Sequence, residues 1–358
     1  MTSAQASTQT STVTAYAAAA AGQPLTRTTI ERRALAAHDI NVEIHYTGIC
    51  HSDIHQVHGD WGKGLFPMVP GHEITGIVAE TGSEVTTHQV GDRVGVGVII
   101  NSCGRCDNCA AGRQQYCTGG GSVETYGDLD RYRNDEPTQG GYSTHIVVDE
   151  HFAYRIPKEL SLQQAAPLLC AGITTYSPLK HWNAGPGTKV AVIGLGGLGH
   201  VAVKVAHALG ADVTVLSQSL RKKDDGLRLG ADHYYATSDP KTFEELAGTF
   251  DLIICTVSAP LDVDAHLSLL TTEGTLVYLG VPDQPISTGV FSLLTGRRSL
   301  AGSLIGGVPE TQEMLDFCAE HGIGADVEVV RADQINEAFQ RVLNSDVRYR
   351  FVIDNSTI

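Results

Sequence analysis

Residues 189–199 read Lys189-Val190-Ala191-Val192-Ile193-Gly194-Leu195-Gly196-Gly197-Leu198-Gly199. A short apolar run, suited to a strand buried on both faces, leads directly into G-x-G-x-x-G and then into a helical pattern. Alone the glycine motif is a weak signal, and the strand before it and the helix after it supply its meaning. Gly194 permits a tight turn, Gly196 lets a pyrophosphate approach the backbone, and Gly199 lets helix and strand pack closely. Gly197 and Leu198 complete the turn, so the helix N-terminus faces the phosphates.

Outward from this point, strands alternate with helices over residues 171–307. Asp212 to Leu216, Leu252 to Thr256 and Thr275 to Leu279 are further short apolar runs, and helical stretches start near Gly197, Lys222 and Asp262. The pattern predicts an α/β fold with a doubly wound parallel sheet. Residues 1–170 differ. A leader of about twelve residues, rich in Ser, Thr and Gln, is expected to be disordered. Beyond it, short β-rich runs such as Asp39 to Tyr46, Thr75 to Glu80 and Tyr142 to Val148 alternate with glycine-rich turns. They predict a mostly antiparallel β domain. The tail, 308–358, carries two amphipathic helices, near Glu310 to Glu320 and Gln334 to Leu343, and a strand at Tyr349 to Ile353.

The second strand of the parallel domain ends Leu216-Ser217-Gln218-Ser219, followed by Arg221, Lys222 and Lys223. A carboxylate at this place would accept from a ribose 2′-hydroxyl, whereas hydroxyls and cations suit a 2′-phosphate. Ser217, Ser219, Arg221 and Lys222 are therefore the expected readers of NADP(H). The alternative is a solvated basic helix start, because Asp224 and Asp225 follow closely.

Two sets of metal-ligand candidates lie in the chain. Gly71-His72-Glu73-Ile74-Thr75-Gly76, continued by Gly82 and Val85, is preceded by Cys50 and followed by Cys170. Two thiolates and an imidazole suit a zinc ion with one position open, the arrangement of catalytic rather than structural sites. Asp53, three residues beyond Cys50, returns to nearly the same helix face and is placed to hydrogen-bond His72. Cys103, Cys106, Cys109 and Cys117 place four thiolates in one loop, a closed tetrahedral site whose work is structural. The expectation is two zinc ions per subunit, one catalytic and one structural. A zinc-ribbon module for nucleic acid is the alternative for the second set, but residues 101–121 contain just Arg105 and Arg113 as cations. Cys255 and Cys318 are expected in the core.

The G-H-E-x2-G-x5-G-x2-V pattern, Cys50-His51-Ser52-Asp53, the cysteine cluster, Cys170 and the glycine turn occur in the order found in the zinc-containing medium-chain alcohol dehydrogenases. Over residues 15–354 the chain resembles that family, and within it the cinnamyl-alcohol-dehydrogenase-like branch with its bacterial NADPH-dependent aldehyde reductases. The resemblance implies a GroES-like catalytic domain, to which the tail returns, and a Rossmann cofactor domain. It implies that Ser52 contacts the reacting alcohol and that His55 ends a proton relay. His51 then stands at a cofactor-phosphate or relay position, and Glu73 approaches the metal during ligand exchange. Thr174 matches a nicotinamide contact, Arg348 a pyrophosphate arginine and Trp61 an aromatic wall of the substrate cleft. His51 and His55, spaced i, i+4, also read as a metal-binding pair, and Trp61 as ordinary packing. The family further implies a homodimer, with the apolar strand Ser299 to Ile305 a candidate edge.

The composition fits a small-molecule enzyme. Apolar residues make up 42% and charged residues 18% of the 358, and the formal charge of −15 opposes binding to nucleic acid. No run approaches the ~20 apolar residues that span a bilayer. The alanine-rich stretch from Ala15 to Ala21 has no basic region before it, so neither a signal peptide nor a membrane anchor is read. Six of the eight cysteines fall in metal-ligand spacings, which points to reduced thiolates and a cytoplasmic location. Residues 118–141 are expected to form a mobile lip over the site.

The expected activity is zinc-dependent hydride transfer between C4 of NADP(H) and the carbonyl of an aliphatic or aromatic aldehyde. Reduction of a conjugated C=C or iminium is a second enzymatic reading. A non-catalytic, zinc-stabilised binding protein is a third.

Overall fold

The computed structural model describes residues 10–62 and 64–358. It divides into two compact units, one formed by the chain up to Cys170 together with Gly306–Ile358, the other by Ala171–Ile305.

The first unit is built on a seven-stranded sheet. Its path runs Ala153–Arg155, Arg93–Val96, Ile74–Thr81, Asp39–Gly48, Arg350–Asp354 and Val327–Arg331, while His145–Asp149 also pairs with Asp39–Gly48. Pairing is antiparallel except between Val327–Arg331 and Arg350–Asp354, which run parallel. The tail thus inserts into the sheet begun by the N-terminal region, and Val352 pairs with Gly48. Strand Ser11–Ala17 pairs with Thr26–Arg32, so Ser11 and Thr12, expected within a disordered leader, belong to a strand instead. Residues 1–9 of that leader lie outside the described residues. Helix His51–His58 begins straight after Cys50 and stops at Gly59, whose φ of 79° suits a glycine cap. Ile49, Ile54, Val57, Met68, Phe339 and Phe351 share one buried cluster that fixes this helix on the sheet.

Residues 118–141 are not a loose lip. Arg131 donates to the carbonyls of Gly120 and Ser122, and the Tyr132 hydroxyl donates to Gly121 O. Arg133 is ion-paired with Asp39, and Val123, Thr125 and Tyr126 are buried. Charged and glycine-rich composition suggested mobility here, but Arg131 and Arg133 are paired with Asp128, Asp130 and, farther off, Asp39.

The second unit is a six-stranded parallel sheet in the order His233–Ala236, Asp212–Ser217, Lys189–Ile193, Phe250–Cys255, Leu270–Tyr278 and Ser299–Gly302. The strand order reverses beside Lys189–Ile193, the place where open α/β sheets leave a crevice at the carboxyl ends of their strands. His233–Ala236 escapes the sequence pattern because His233 is exposed and the strand is short. Helices Gly199–Ala208, Lys223–Arg228 and Val263–Ser268 follow strands as expected. Cys255 and Cys318 are fully buried. No helix among the described residues is long and apolar enough to cross a membrane.

Candidate metal centre and cofactor turn

The helix starting at His51 sets the geometry of the first site. Cys50 precedes its first turn, and Asp53 reaches back so that its Oδ2 accepts from Cys50 N at 2.9 Å. The same carboxylate accepts from Gly71 N at 3.2 Å and meets His72 Nδ1 at 3.1 Å. One acidic side chain therefore organises two ligand candidates, and it leaves His72 Nε2 for an ion. Ligand atoms of Cys50, His72, Glu73 and Cys170 all lie within 4.8 Å of one another, and all four residues are buried.

The donors fit a metal. Cys50 Sγ and Cys170 Sγ are 4.0 Å apart, close to the edge of about 3.8 Å between sulfurs on a tetrahedral ion with 2.3 Å bonds. A hydrogen bond from Cys170 holds the Cys50 thiol well below its ordinary range, and that bond together with burial pushes Cys170 well above it. Burial works against a charge on His72, but Asp53 holds its pKa well above the usual imidazole range. Zinc ligation needs both sulfurs as thiolates and His72 as neutral imidazole, so an ion at this set would displace the protons that His72 and Cys170 retain. Glu73 Oε2 is buried without a hydrogen-bond partner among the described residues. Burial pushes the Glu73 carboxyl up, while Arg350, in direct contact with its other oxygen, pulls it down.

The four-cysteine set is equally complete. Cys103 Sγ lies 3.9 Å from Cys109 Sγ, and Cys106 Sγ lies 4.0 Å from Cys117 Sγ. Backbone N–H groups of Cys109 and Thr118 hold Cys106 down to about 5, whereas burial pushes Cys109 up to about 12. Four thiolates coexist only around a cation. Among the described residues these two clusters alone gather three or more metal-type donors, so His51 and His55 form no such site.

Beside the first set, Ser52 Oγ lies 3.6 Å from Cys50 Sγ. His55 Nδ1 meets Asp60 Oδ2 at 2.8 Å, and the exposed Trp61 stacks on the His55 ring at 5.0 Å. Trp61 is therefore not core packing. His51 is exposed, its ring 6.2 Å from that of His55. Arg348 is exposed with its guanidinium over the Tyr349 ring. Sequence reasoning missed Arg350, Tyr142 and Tyr126. Arg350 pairs with Glu73, the Tyr142 hydroxyl donates to Asp53 Oδ2 at 3.1 Å, and the Tyr126 ring stacks on His72. No spacing rule links these residues to a ligand, and an arginine in an apolar terminal strand was the one available signal.

In the second unit Gly194 has φ 89°, and a Cβ at Gly199 would lie 2.0 Å from Gly194 O. Nothing lies within 4 Å of a Cβ built on Gly196, which leaves room for a ligand at that backbone. Thr256 Oγ1 donates to Ile193 O, and His200 Nδ1 sits 3.1 Å from Gly196 O, so the turn is held from both sides. Lys222 Nζ donates to Leu195 O at 2.8 Å, which brings this cation from the end of the second strand onto the glycine turn. Ser217 is half-buried at that strand end, and Ser219 and Arg221 are exposed beside it. Thr174 is buried in helix Ala171–His181.

Comparison with known proteins matches residues 36–158 to the alcohol dehydrogenase GroES-like domain and residues 197–320 to the zinc-binding dehydrogenase domain. NADP-dependent alcohol dehydrogenase C 1 of Mycolicibacterium smegmatis is 65% identical over 348 residues, 97% of this chain and 99% of that protein. Aldehyde reductase YahK of Escherichia coli is 49% identical over 351 residues, 97% of this chain and 99% of that protein. The structure of a cinnamyl alcohol dehydrogenase from Sorghum bicolor superposes with a TM-score of 0.93 at 42% identity, covering 97% and 98% of the two chains. With its ligand set, cysteine cluster and glycine turn all assembled, the chain belongs to the zinc-containing medium-chain alcohol dehydrogenases, in the cinnamyl-alcohol-dehydrogenase-like branch.

Proposed function

We propose that this protein is a zinc-dependent, NADP(H)-linked alcohol dehydrogenase that works mainly as a reductase of aliphatic and aromatic aldehydes. The observation that carries this reading is the buried gathering of Cys50, His72 and Cys170, with Asp53 behind His72 and Ser52 on the next turn position. The 65% identity to an NADP-dependent alcohol dehydrogenase and the 49% identity to an aldehyde reductase support it.

Cys50, His72 and Cys170 hold the catalytic zinc, with Glu73 in reserve, and Cys103, Cys106, Cys109 and Cys117 hold the structural one. When bound, the zinc supplies Lewis acidity toward the carbonyl oxygen and the reduced nicotinamide supplies hydride. The chain's own residues manage the proton. Asp60 occupies His55 Nδ1, which leaves Nε2 to give or take a proton at the distal end of the relay that begins at the Ser52 hydroxyl. His51 serves at a cofactor-phosphate or relay position and Trp61 walls the substrate, its ring braced on His55.

Gly194, Gly196, Gly197, Leu198 and Gly199 cradle the pyrophosphate, with Thr174 at the nicotinamide and Arg348 at the phosphates. Ser217, Ser219, Arg221 and Lys222 read the 2′-phosphate, since no carboxylate stands at the second strand's end. The reductive direction follows from the reduced state in which cells keep NADPH. Residues 1–170 and 308–358 form the catalytic domain and 171–307 the cofactor domain of a cytoplasmic enzyme. Two subunits pair along Ser299–Gly302, an outer strand of the parallel sheet, near which Phe291, Leu294 and Leu304 are exposed.

The test is the steady-state reduction of benzaldehyde and cinnamaldehyde with NADPH and NADH, together with zinc per chain. Near two zinc ions, turnover and a strong NADPH preference are expected. Two zinc ions without aldehyde turnover would shift the substrate to a conjugated alkene or iminium.

A further inference from the structure

Tyr142 belongs to none of the ligand, relay or cofactor sets, yet it reaches the centre of one of them. Its side chain is fully buried, and its hydroxyl donates to Asp53 Oδ2 at 3.1 Å. Asp53 also accepts from Cys50 N on that oxygen, and from Gly71 N while meeting His72 Nδ1 on the other. These four bonds use the roughly four lone-pair directions of a carboxylate, and the Tyr126 hydroxyl bears on it as well, so its orientation is held from several sides.

The backbone dictates where the tyrosine stands. Gly140, Gly141 and Tyr142 donate to the carbonyls of Val69, Gly71 and Pro70 at 2.7, 2.9 and 3.0 Å. Their strap thereby lies along the segment that leads into His72. Gly71 has φ 108°, and a Cβ there would meet the Tyr142 ring at 2.6 Å. The glycine that precedes His72 is thus required by its own backbone and by the ring that lies on it.

We propose that Tyr142 is a positioning residue of the Cys50–His72–Cys170 centre. Its hydroxyl holds the Asp53 carboxylate in the rotation that bonds His72 Nδ1, and so fixes the ring plane and the tautomer that leaves Nε2 for the ion. Without it Oδ2 keeps the Cys50 amide, and the carboxylate gains freedom to rotate about Cβ–Cγ and tilt the imidazole. The inference rests on the reading of this centre as a zinc site.

Tyr142→Phe keeps the ring and removes the hydroxyl. In the full-length enzyme, competition with a chromophoric chelator is expected to show roughly tenfold weaker zinc at this centre and unchanged zinc at the four-cysteine site. Cobalt substituted at the centre is expected to show shifted ligand-field bands. Thr47→Val is the control: it removes a hydroxyl that donates to Gly141 O at 2.8 Å, in the same core but off the carboxylate. It should keep wild-type affinity and cobalt spectrum.

Asp53→Asn should weaken zinc at least as much as Tyr142→Phe, and the double variant no further than Asp53→Asn alone. Where Tyr142→Phe does not fold, Asp53→Asn alone serves: unweakened zinc there would remove the carboxylate through which Tyr142 acts. Wild-type affinity and spectrum in Tyr142→Phe, equal weakening in Thr47→Val, or additive losses in the double variant would each overturn the proposal. One zinc per chain in the wild type would instead overturn the reading of the centre beneath it.

Discussion

Arg350 Nη2 contacts Glu73 Oε1, and both side chains are enclosed, Glu73 wholly and Arg350 to within 4%. The two residues come from the terminal strand and the ligand loop, so one ion pair ties the returning tail to the metal centre. Burial works against the arginine's charge, yet Glu73 and the thiols of Cys50 and Cys170 hold its pKa above the ordinary value. Removing one partner strands a buried charge. Arg350→Met is expected to cost about 3–5 kcal/mol in denaturant unfolding, and adding Glu73→Gln to recover a large part of it. A double variant no more stable than the single would show that the charge pair is not the source of the loss.

Ser52 lies beside Cys50 without being a ligand candidate of the cluster. Ser52→Ala is expected to lower kcat about 100-fold or more while zinc per chain stays at the wild-type value. Undiminished turnover would remove Ser52 from the relay.

The cysteine lobe depends on its cation. Cys106→Ser is expected to lower zinc by one ion per chain and make residues 101–121 sensitive to protease, because structural sites contribute roughly 10–16 kcal/mol in small peptides. Aldehyde reductase activity should decay through unfolding and not through a changed KM, which a time course of inactivation with parallel kinetics distinguishes.

Cofactor choice is testable at the strand end. Ser217→Asp puts a carboxylate where a 2′-phosphate would sit, and like charges in contact cost several kcal/mol. A fall of about 100-fold in kcat/KM for NADPH is expected, with the NADH value maintained or raised. Equal losses with both cofactors would point to damage to the turn instead.

Acid sensitivity should involve Glu150. Burial raises its pKa, but the Thr87 hydroxyl, the Thr87 and Thr86 amides and His38 outweigh that and hold it down to about 2, against an ordinary 4.5. A depressed carboxyl stabilises the fold above its unfolded pKa and loses that contribution as pH falls through the folded one. Glu150→Gln is expected to cost about 1 kcal/mol at pH 7 after allowance for solvent screening. The difference from wild type should shrink between pH 4.5 and 2 in urea titrations, whereas a constant difference would contradict the linkage.

The chain's local order accounts for much of this protein. Strand, glycine turn and helix at 189–199 are contiguous, so hydrophobic period and glycine spacing specify them without distant contacts. The four cysteines share one loop, and Asp53 shares a helix with the residue after Cys50, so both arrangements were legible from spacing. Strand His233–Ala236 was not legible, because a short half-exposed strand has little pattern of its own and forms by pairing with Asp212–Ser217. Nor was the anchoring of 118–141, since Arg133 finds Asp39 only across the fold.

What the sequence by itself determined was the chemistry of each local motif: soft ligands, a phosphate-binding turn, hydroxyls and cations in place of a carboxylate. Tertiary structure alone decided which distant groups complete them. Arg350 meets Glu73 and Tyr142 meets Asp53 across 277 and 89 positions. The physical reason is that a buried charge or polar group must find partners wherever the packed chain supplies them, and no periodicity along the chain encodes that address.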